Sequence, residues 1–485
     1  MSTLETDITG YNPTTELLQL LSVELAWQYG VLPLQWQNNE LQILCEAKTM
    51  KSGMCDELEL ILGKRIVVQY ASLEFIRTNL SKYYLRNSTE AGSATRSNVS
   101  VAKQGDEFLP MIIAEARQLG SSDIHIETFS ERARVRIRID GHLVERCVIE
   151  KKDYPALVNK IKIKANLDIA EKRLPQDGRI FFQQGDWKFD IRVSVLPTMY
   201  GEKVVLRLLS NDATNIDIRK LGFNERQLND YLEGVKNPHG VLLISGPTGS
   251  GKTTTLYATL KMLNKEATNI VTVEDPIEYT LEGINQVQLK ESIGLGFASA
   301  LRTFLRQDPD IIMLGEIRDG ETAQMAVRAA LTGHLVLSTI HTNSAWGTIS
   351  RLTDMGVPPF LIANTLNTSV AQRLVRLLCT KCRGETKFIP EMLPRQMRNV
   401  QLDTVSVPVG CADCFYTGYK GRKAIYEVLP IDEDLATCIK NNSGAPVQII
   451  KERNIQTLAE SAYALIVRGE TSCEEAYSIL AQSIN

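Results

Sequence analysis

The sequence lacks three features that would place it among membrane, secreted or nucleic-acid-binding proteins. No apolar run approaches the roughly 20 uninterrupted residues of a membrane-spanning helix. The N-terminal segment from Met1 has neither the basic n-region nor the apolar h-region of a secretory signal. Positive charge is not in excess, since 54 basic residues against 57 acidic ones leave a net charge of −3, which argues against nucleic acid as the main partner. We therefore expect a cytoplasmic protein.

The composition is otherwise that of an ordinary globular protein. Hydrophobic residues make up 44% and charged residues 23% of the 485 positions. A chain of this length is too long for one ordinary domain, and typical domain sizes predict roughly three or four. Nine cysteines in a reducing compartment are expected to be thiols or metal ligands rather than disulfides.

A glycine-rich segment organises the chain. The apolar run 241–244 precedes it and the helical pattern of residues 254–260 follows it, so the order is strand, loop, helix. Its sequence G-x-x-x-x-G-K-T is that of a phosphate-binding loop, in which backbone N–H groups and a helix N-terminus converge on phosphate oxygens. Lys252 would reach the β- and γ-phosphates and Thr253 would hold Mg²⁺. The predicted nucleotide-binding residues are Gly246, Pro247, Thr248, Gly249, Ser250, Gly251, Lys252 and Thr253.

Two acidic segments follow predicted strands of the same region. Glu274 and Glu278 lie in the segment 274–278, at the C-terminal end of a strand, where open α/β sheets place ligands. Glu316 ends the apolar strand 311–314 and is suited to holding Mg²⁺ or its water. An acidic turn is the alternative for the first segment, and the second signal is strong only because a phosphate-binding loop precedes it.

Two histidines bracket the apolar strand 335–340. His334 precedes this strand and His341 follows it. Imidazole chemistry fits a structural role and a role near the γ-phosphate equally well, so the pattern alone leaves both open.

Arginines alternate with apolar residues in the region 107–210. The apolar positions Ala133, Val135 and Ile137 predict a half-buried strand that ends in a hairpin turn at Asp140-Gly141. Arg192 and Arg207 lie on two later strands of the same kind. Most charges on the outer face of a strand are simply solvated, so the strand pattern alone does not make these arginines functional.

Two C-x-x-C pairs predict a metal site. The four thiolates have the composition of a closed structural zinc site, although their separation exceeds the usual ribbon spacing and four buried thiols remain the alternative. The predicted Zn²⁺ ligands are Cys379, Cys382, Cys411 and Cys414. The other five cysteines have no such spacing and are expected to be small core residues.

Taken in order, these segments resemble those of the secretion ATPase superfamily, and more narrowly the assembly ATPases of type II secretion (the general secretion pathway protein E family) and of type IV pili. The resemblance covers residues 107–485. The pilus-retraction ATPases lack the four-cysteine insert, so its presence points to an assembly or secretion motor. The motifs that carry it are the phosphate loop and the segments 173–179, 190–194, 201–207, 274–278, 306–310, 315–319 and 334–343.

The resemblance implies a role for each matching residue. It implies ATP and Mg²⁺ as cofactors, Glu274 and Glu278 as aspartate-box residues, Glu316 as the acid of the second nucleotide-site strand, and His334 and His341 as histidine-box residues. Arg192 and Arg207 match arginines that a neighbouring second domain presents to the nucleotide. One departure is Ser344, where the family usually has aspartate, which puts any coupling role of that position in doubt.

The implied fold class is α/β: a RecA-like P-loop ATPase domain, preceded by an α+β, PAS-like second domain and a small N-terminal docking domain, with a four-cysteine zinc insert. The predicted order is a docking domain at 1–86, a flexible linker at 87–106, the second domain at 107–222, the ATPase core at 223–372, the zinc subdomain at 373–430 and a C-terminal helical subdomain at 431–485.

The implied function is that of a cytoplasmic hexameric ATPase that drives pseudopilus assembly and protein export in type II secretion. The alternatives are a type IV pilus assembly ATPase and a DNA-uptake or nucleic-acid motor. The implied partners are other copies of the chain, the cytoplasmic domain of an inner-membrane platform protein bound through residues 1–86, and a polytopic platform protein. The chain would then be peripheral to the inner membrane, held there only by partners.

Overall fold

The computed structural model divides by its contacts into two compact units. One comprises residues 1–108, 126–137 and 143–157, and the other residues 109–125, 138–142 and 158–485. The six-segment division drawn from the sequence stays a prediction, and its linker lies outside the described residues except at 98–99. The structure describes residues 13, 17, 20–21, 23–37, 40–46, 54–62, 64–83, 98–99, 107–185, 187–209, 217–400, 402–444 and 446–482.

The first unit contains a small sheet with helices. Strand β2 pairs antiparallel with β1 and parallel with β3, and its residues Leu41 and Ile43 are fully buried in the core of this unit. The elements are α1 (Val23–Tyr29), β1 (Val31–Gln37), β2 (Glu40–Cys45), α2 (Met54–Leu62), β3 (Arg65–Tyr70), α3 (Leu73–Tyr83) and β4 (Asn98–Val99).

The arginine-rich region is built of strands, as its alternation predicts. In β6, Ala133, Val135 and Ile137 are fully buried, and Asp140 and Gly141 both have positive φ, which is typical of the predicted tight turn. The elements are α4 (Phe108–Gln118), β5 (Asp123–Thr128), β6 (Arg132–Ile139), β7 (His142–Glu150), α5 (Tyr154–Lys164), β8 (Gln176–Gln184), β9 (Trp187–Thr198) and β10 (Gly201–Leu209).

Strands β8, β9 and β10 form an antiparallel meander. The apolar side chains of β9 at Phe189, Ile191, Val193 and Val195 are buried on one face. Arg192 therefore points to the opposite face, because successive side chains of a strand alternate. The meander is a rigid support for this arginine.

Strands and helices then alternate through the second unit. The elements are α6 (Glu225–Lys236), β11 (Gly240–Ser245), α7 (Lys252–Leu263), β12 (Ile270–Glu274), β13 (Asn285–Gln288), α8 (Phe297–Phe304), β14 (Ile311–Leu314), α9 (Gly320–Leu331), β15 (Leu335–Ile340), α10 (Gly347–Asp354), α11 (Pro359–Thr365) and β16 (Leu366–Leu378). After these come β17 (Gly384–Lys387), β18 (Thr404–Val407), β19 (Tyr419–Pro430), α12 (Glu433–Lys440), α13 (Val447–Glu452), α14 (Leu458–Val467) and α15 (Cys473–Gln482).

The main sheet confirms the predicted α/β class. Its strand order is β13-β12-β14-β15-β11-β16-β19, and all pairs are parallel except the last, which is antiparallel. Every residue of β11, β14 and β15 is buried, because apolar clusters cover both faces of the sheet.

The C-terminal helices pack on this sheet. Leu465 of α14 and Ile479 of α15 share a core with Val375 of β16 and Ile425 of β19. Helix α14 begins after a capping box between Thr457 and Glu460. Within the part of the chain that the structure describes, no helix combines the length and the apolar character needed to cross a bilayer.

Candidate active site and metal centre

The phosphate-binding loop joins β11 to α7, as the sequence predicts. Glycine is required at Gly246, where φ is +150° and a Cβ atom would lie 2.5 Å from the carbonyl oxygen of Gln372. Gly249 and Gly251 also have positive φ. The loop therefore approaches β16 too closely for a side chain at its first position.

Lys252 points back into this loop. Its Nζ donates to the carbonyl oxygens of Gly246, at 2.8 Å, and Pro247, at 3.0 Å. Burial lowers the pKa of the Lys252 ammonium, and the nearby charge of Arg373 lowers it further, against the opposite effect of Glu316. Two loop carbonyls accept the hydrogen bonds of this ammonium, so an anion could replace them as its partner.

The loop also offers an unsatisfied polar atom. Ser250 is 3% exposed, and its Oγ has no hydrogen-bond partner among the described residues. Thr253, the second residue of α7, is exposed. A buried hydroxyl without a partner is costly, and a phosphate oxygen in this loop would satisfy it, so the residues present fit a nucleotide phosphate.

Glu274 ends β12 and is only 3% exposed. Its carboxylate accepts hydrogen bonds from Thr272 Oγ1 at 2.6 Å, from Gln286 Nε2 at 3.1 Å and from the hydroxyl of Tyr257. Three donors satisfy this buried carboxylate and fix its orientation.

Glu278 lies in a more open place. Its side chain is 39% exposed and accepts a hydrogen bond from Arg192 Nη1 at 3.0 Å. The other guanidinium nitrogen of Arg192 donates to the carbonyl oxygen of Ile277. The structure thus brings Arg192 and Glu278 together within one chain.

Arg207 has a different partner. Its Nε donates to Asp123 Oδ1 at 2.9 Å, and its side chain is 59% exposed. Burial would raise the pKa of Asp123, but hydrogen bonds from Arg207 and Ser122 hold it below its usual range. The guanidinium of Arg207 is therefore mostly open to solvent.

Glu316 and His341 lie together at the end of two neighbouring strands. Glu316 accepts from Arg318 Nη2 at 2.5 Å, and its other oxygen is 3.3 Å from His341 Nε2. Burial would raise the pKa of Glu316, but the contacts with Arg318 and His341 lower it. The charge of Glu316 also acts on the Lys252 ammonium, and the catalytic roles of Glu316 and His341 stay predictions.

His334 lies at the opposite edge of the sheet. Strand β15 runs parallel to β11, and the phosphate loop follows β11, so only the residue after β15 is on the loop side. The Nδ1 of His334 is 2.9 Å from the carbonyl oxygen of Ala329. The structure does not bring His334 together with the loop of its own chain, and its catalytic role stays a prediction.

Sequence reasoning missed Arg373 of β16. This arginine is 6% exposed and donates to the carbonyl oxygens of Gln372 and Asn343, both at 3.0 Å. Its Nη1 lies 3.2 Å from the position that a Cβ of Gly246 would occupy. No motif spacing marks it, because β16 follows the phosphate loop by more than a hundred residues.

The four predicted cysteine ligands come together. Their sulfur atoms all lie within 4.8 Å of one another, with Sγ–Sγ distances of 3.9 Å for Cys379–Cys411, 3.7 Å for Cys382–Cys414 and 3.8 Å for Cys411–Cys414. A tetrahedral ion with metal–sulfur bonds of about 2.3 Å needs sulfur separations of about 3.8 Å. These three separations match those of four sulfurs around one tetrahedral metal ion.

Backbone groups favour thiolates in the second cysteine pair, whereas burial raises the pKa of the Cys382 thiol in the first pair. The N–H groups of Cys411, at 3.2 Å, and of Gly418, at 3.3 Å, donate to Cys414 Sγ. Burial would raise the pKa of the Cys411 thiol, but the Cys414 N–H and neighbouring donors lower it to about 7. Lys381 and Lys420 both bind Asp413 between the two ligands of the second pair. The first pair follows β16 and the second precedes β19, so both pairs are anchored to the main sheet.

Comparison with known proteins agrees with this architecture. The family model "Type II/IV secretion system protein" matches residues 103–478, and the MshEN domain model matches residues 4–90. The chain is 42% identical to type II secretion system protein E of Pectobacterium carotovorum, over 95% of this chain and 97% of that protein. It is 41% identical to the type IV pilus assembly ATPase PilB of Myxococcus xanthus, over 95% of this chain and 86% of that protein.

Solved structures share the fold. The pilus retraction motor PilT with bound ADP is 27% identical and has a TM-score of 0.53, covering 76% of this chain and 95% of that one. The Legionella pneumophila ATPase DotB has a TM-score of 0.60 at 20% identity, covering 80% and 97%. With its phosphate loop, its acidic strand ends and a family match over most of its length, the chain belongs to the type II/IV secretion system protein family and is an ATPase.

Proposed function

We propose that the chain hydrolyses ATP to drive pseudopilus assembly and protein export through a type II secretion system. The observation that carries the proposal is the contact of His341 with Glu316, the acid whose charge acts on the Lys252 ammonium. The chain also matches type II secretion system protein E over 97% of that protein's length. The similarity to PilB supports the second candidate, type IV pilus assembly.

Family membership implies ATP with Mg²⁺, which would supply charge neutralisation at the transferred phosphoryl group. Lys252 would exchange its loop carbonyls for phosphate oxygens, and Thr253 and Glu316 would hold the metal or its water. Glu278, more exposed than Glu274, would orient the attacking water. His341 would position Glu316, the carboxylate that it contacts.

A homo-hexameric ring is part of the proposal. Arg207 is mostly exposed, so it is available to a nucleotide bound by an adjacent copy, where an arginine stabilises charge on the transferring group. Arg192 is bound to Glu278 of its own chain, so the proposed presentation to a neighbour requires that contact to break.

The metal of the cysteine cluster is proposed to be Zn²⁺. Four thiolates at tetrahedral separations fill every coordination position, so no position is left for water or substrate. Zinc would therefore stabilise the connection between β16 and β19 and would take no part in hydrolysis.

We further propose that residues 1–86 dock on the cytoplasmic domain of an inner-membrane platform protein and that the ring acts on a polytopic platform protein. The chain would then lie in the cytoplasm at the inner membrane through these partners. The net charge of −3 supports a protein partner over nucleic acid.

Deletion of the chain in its own bacterium tests the proposal. We expect exported proteins to disappear from the culture medium and to return with the wild-type chain but not with Lys252→Ala. Loss of surface pili with normal export would establish the pilus candidate instead. Purified chain should release phosphate from ATP with Mg²⁺, and its failure to do so would exclude both candidates.

A further inference from the structure

We infer that Tyr257 is a positioning residue of the hydrolytic site, whose hydroxyl holds Glu274 and Glu278 in fixed relation to the helix that carries Lys252. The inference rests on the proposed roles of the two glutamates. It concerns a residue that lies outside the phosphate loop and does not bind the nucleotide in the proposed mechanism.

The hydroxyl of Tyr257 bridges the two glutamates. It donates to Oε2 of Glu274 and accepts from the backbone N–H of Glu278 at 3.3 Å. One oxygen atom thus connects the end of β12 to the backbone four residues further along the chain.

The tyrosine ring has little freedom to move. Tyr257 is 1% exposed and packs edge to face against Tyr279, with ring centroids 4.4 Å apart and an interplanar angle of 74°. Such aromatic pairs have a preferred geometry, so the hydroxyl is held at a defined point between the glutamates.

The contacts of Glu274 indicate an anchor rather than a base. It is buried and has three donors, whereas Glu278 has a side chain that is 39% exposed. We therefore assign Glu274 an indirect role in the reaction, which is to fix the position of Glu278. The hydroxyl of Tyr257 links the two.

Tyr257 also lies on the same helix as the phosphate-binding lysine. Helix α7 begins at Lys252, so Tyr257 is five residues away on one rigid element. A shift of α7 when phosphate replaces the loop carbonyls of Lys252 would be transmitted by this hydroxyl to Glu274 and to the backbone of Glu278.

The test is Tyr257→Phe, which removes the bridging oxygen and leaves the ring. We expect kcat for ATP hydrolysis to fall by about 10- to 100-fold, because misplacing a reacting group by about 1 Å has an effect of that size. The ATP KM and the affinity for a fluorescent ATP analogue should change by less than about twofold, since the phosphate loop is untouched.

The matched control is Tyr231→Phe. Tyr231 of α6 is fully buried, and its hydroxyl lies 2.7 Å from Oγ1 of Thr259 on α7, the helix that also carries Tyr257. This variant therefore loses a buried tyrosine hydrogen bond that involves no carboxylate. Its kcat should remain within about threefold of wild type.

A second variant, Thr272→Val, removes another donor to Glu274. It should lower kcat less than Tyr257→Phe does, because the hydrogen bond between the Tyr257 hydroxyl and the backbone N–H of Glu278 remains.

The outcomes separate this inference from the proposed function. Wild-type kcat for Tyr257→Phe beside an inactive Glu278→Gln would overturn the inference alone. Full activity of Glu278→Gln would overturn the proposed role of that glutamate and the inference with it, whereas absence of phosphate release by the wild-type chain would overturn the proposed function. If Tyr257→Phe and Tyr231→Phe lose kcat equally, and in proportion to the fall in their thermal unfolding midpoints, the role of Tyr257 is structural only. If Tyr257→Phe does not fold, an unchanged kcat in Thr272→Val decides against the inference and a lowered kcat with constant KM supports it.

Discussion

Arg192 and Arg207 lie directly opposite each other on the antiparallel strands β9 and β10. On its other side Arg192 faces Arg179 of β8. Three like charges in one row would repel one another, but each has its own carboxylate: Asp190 for Arg179, Glu278 for Arg192 and Asp123 for Arg207. A bound phosphate could replace such a carboxylate, because each anion offers two acceptor oxygens to the planar fork of a guanidinium.

Mixing two inactive variants tests whether Arg207 acts on a neighbouring copy. Arg207→Ala should bind ATP yet be inactive, and wild-type specific activity should rise with protein concentration. Lys252→Ala retains its arginines and Arg207→Ala retains its phosphate loop, so mixed rings contain some complete interfaces. Recovered phosphate release on mixing is the expected result. No recovery, with activity independent of concentration, would remove the ring mechanism.

Lys252→Ala and Glu316→Gln should both abolish hydrolysis by different routes. Lys252→Ala removes a cation from the phosphate loop and should weaken ATP binding as well, whereas Glu316→Gln should largely retain binding. Each should lower kcat by several powers of ten, because phosphoryl transfer depends on placed charge and water. Equilibrium nucleotide binding and phosphate release measure the two effects. Near-normal turnover of Glu316→Gln would contradict the assignment of that carboxylate.

Metal analysis of the purified chain should find about one zinc per chain, as expected for four thiolates around one ion. Cys382→Ser should lower the thermal unfolding midpoint and leave the intrinsic rate of ATP hydrolysis of the folded protein nearly unchanged. A metal chelator should likewise lower the unfolding midpoint and leave the rate of hydrolysis nearly unchanged. Cys438, which is outside the cluster, provides the matched control as Cys438→Ser. A stable wild-type chain without metal would exclude the site.

Glu427 predicts a pH dependence of stability. Its carboxylate accepts from the backbone N–H groups of Ala345, at 2.8 Å, and Leu458, at 3.2 Å, and burial raises its pKa above the ordinary 4.5 despite these donors. The folded chain thus binds this proton more tightly than the unfolded chain. This contribution to stability is fully present below pH 4.5 and declines as pH rises through the raised pKa.

The variant Glu427→Gln isolates this group. The difference in thermal unfolding midpoint between wild type and variant should shift in favour of the variant as pH rises from about 4.5, since glutamine does not ionise. Glu433→Gln, at the exposed start of α12, is the control. A difference that is constant across pH would contradict the assignment.

Restoring aspartate at Ser344 should change activity little. Ser344 Oγ accepts from the Gly347 N–H at 3.1 Å, at the start of α10, and an aspartate oxygen can accept the same bond. We expect kcat within about twofold and a gain of about 0.5 kcal/mol in stability from a negative charge at a helix start. Ser344→Ala, which removes the acceptor, is the comparison. A tenfold change in kcat for the aspartate variant would instead give this position a role in coupling.

The sequence by itself determined the features that depend on local spacing. The phosphate loop, the half-buried strands and the C-x-x-C pairs each need only neighbouring residues, because strand period, glycine conformation and ligand spacing are local properties. The alternation of strand and helix patterns likewise predicted a parallel sheet, with acidic residues at the C-terminal ends of two of its strands. The sheet, the loop and the four-sulfur cluster are accordingly where these patterns predict them.

Tertiary structure decided which residues meet across the chain. His334 and His341 look equivalent in sequence, but seven steps of about 3.3 Å along a strand carry them to opposite edges of the sheet. The pairing of Arg192 with Glu278, the placement of Arg373 beside Gly246 and the bridge from Tyr257 to Glu274 all join residues on different elements. Such contacts depend on strand order and register, which only the packed sheet fixes.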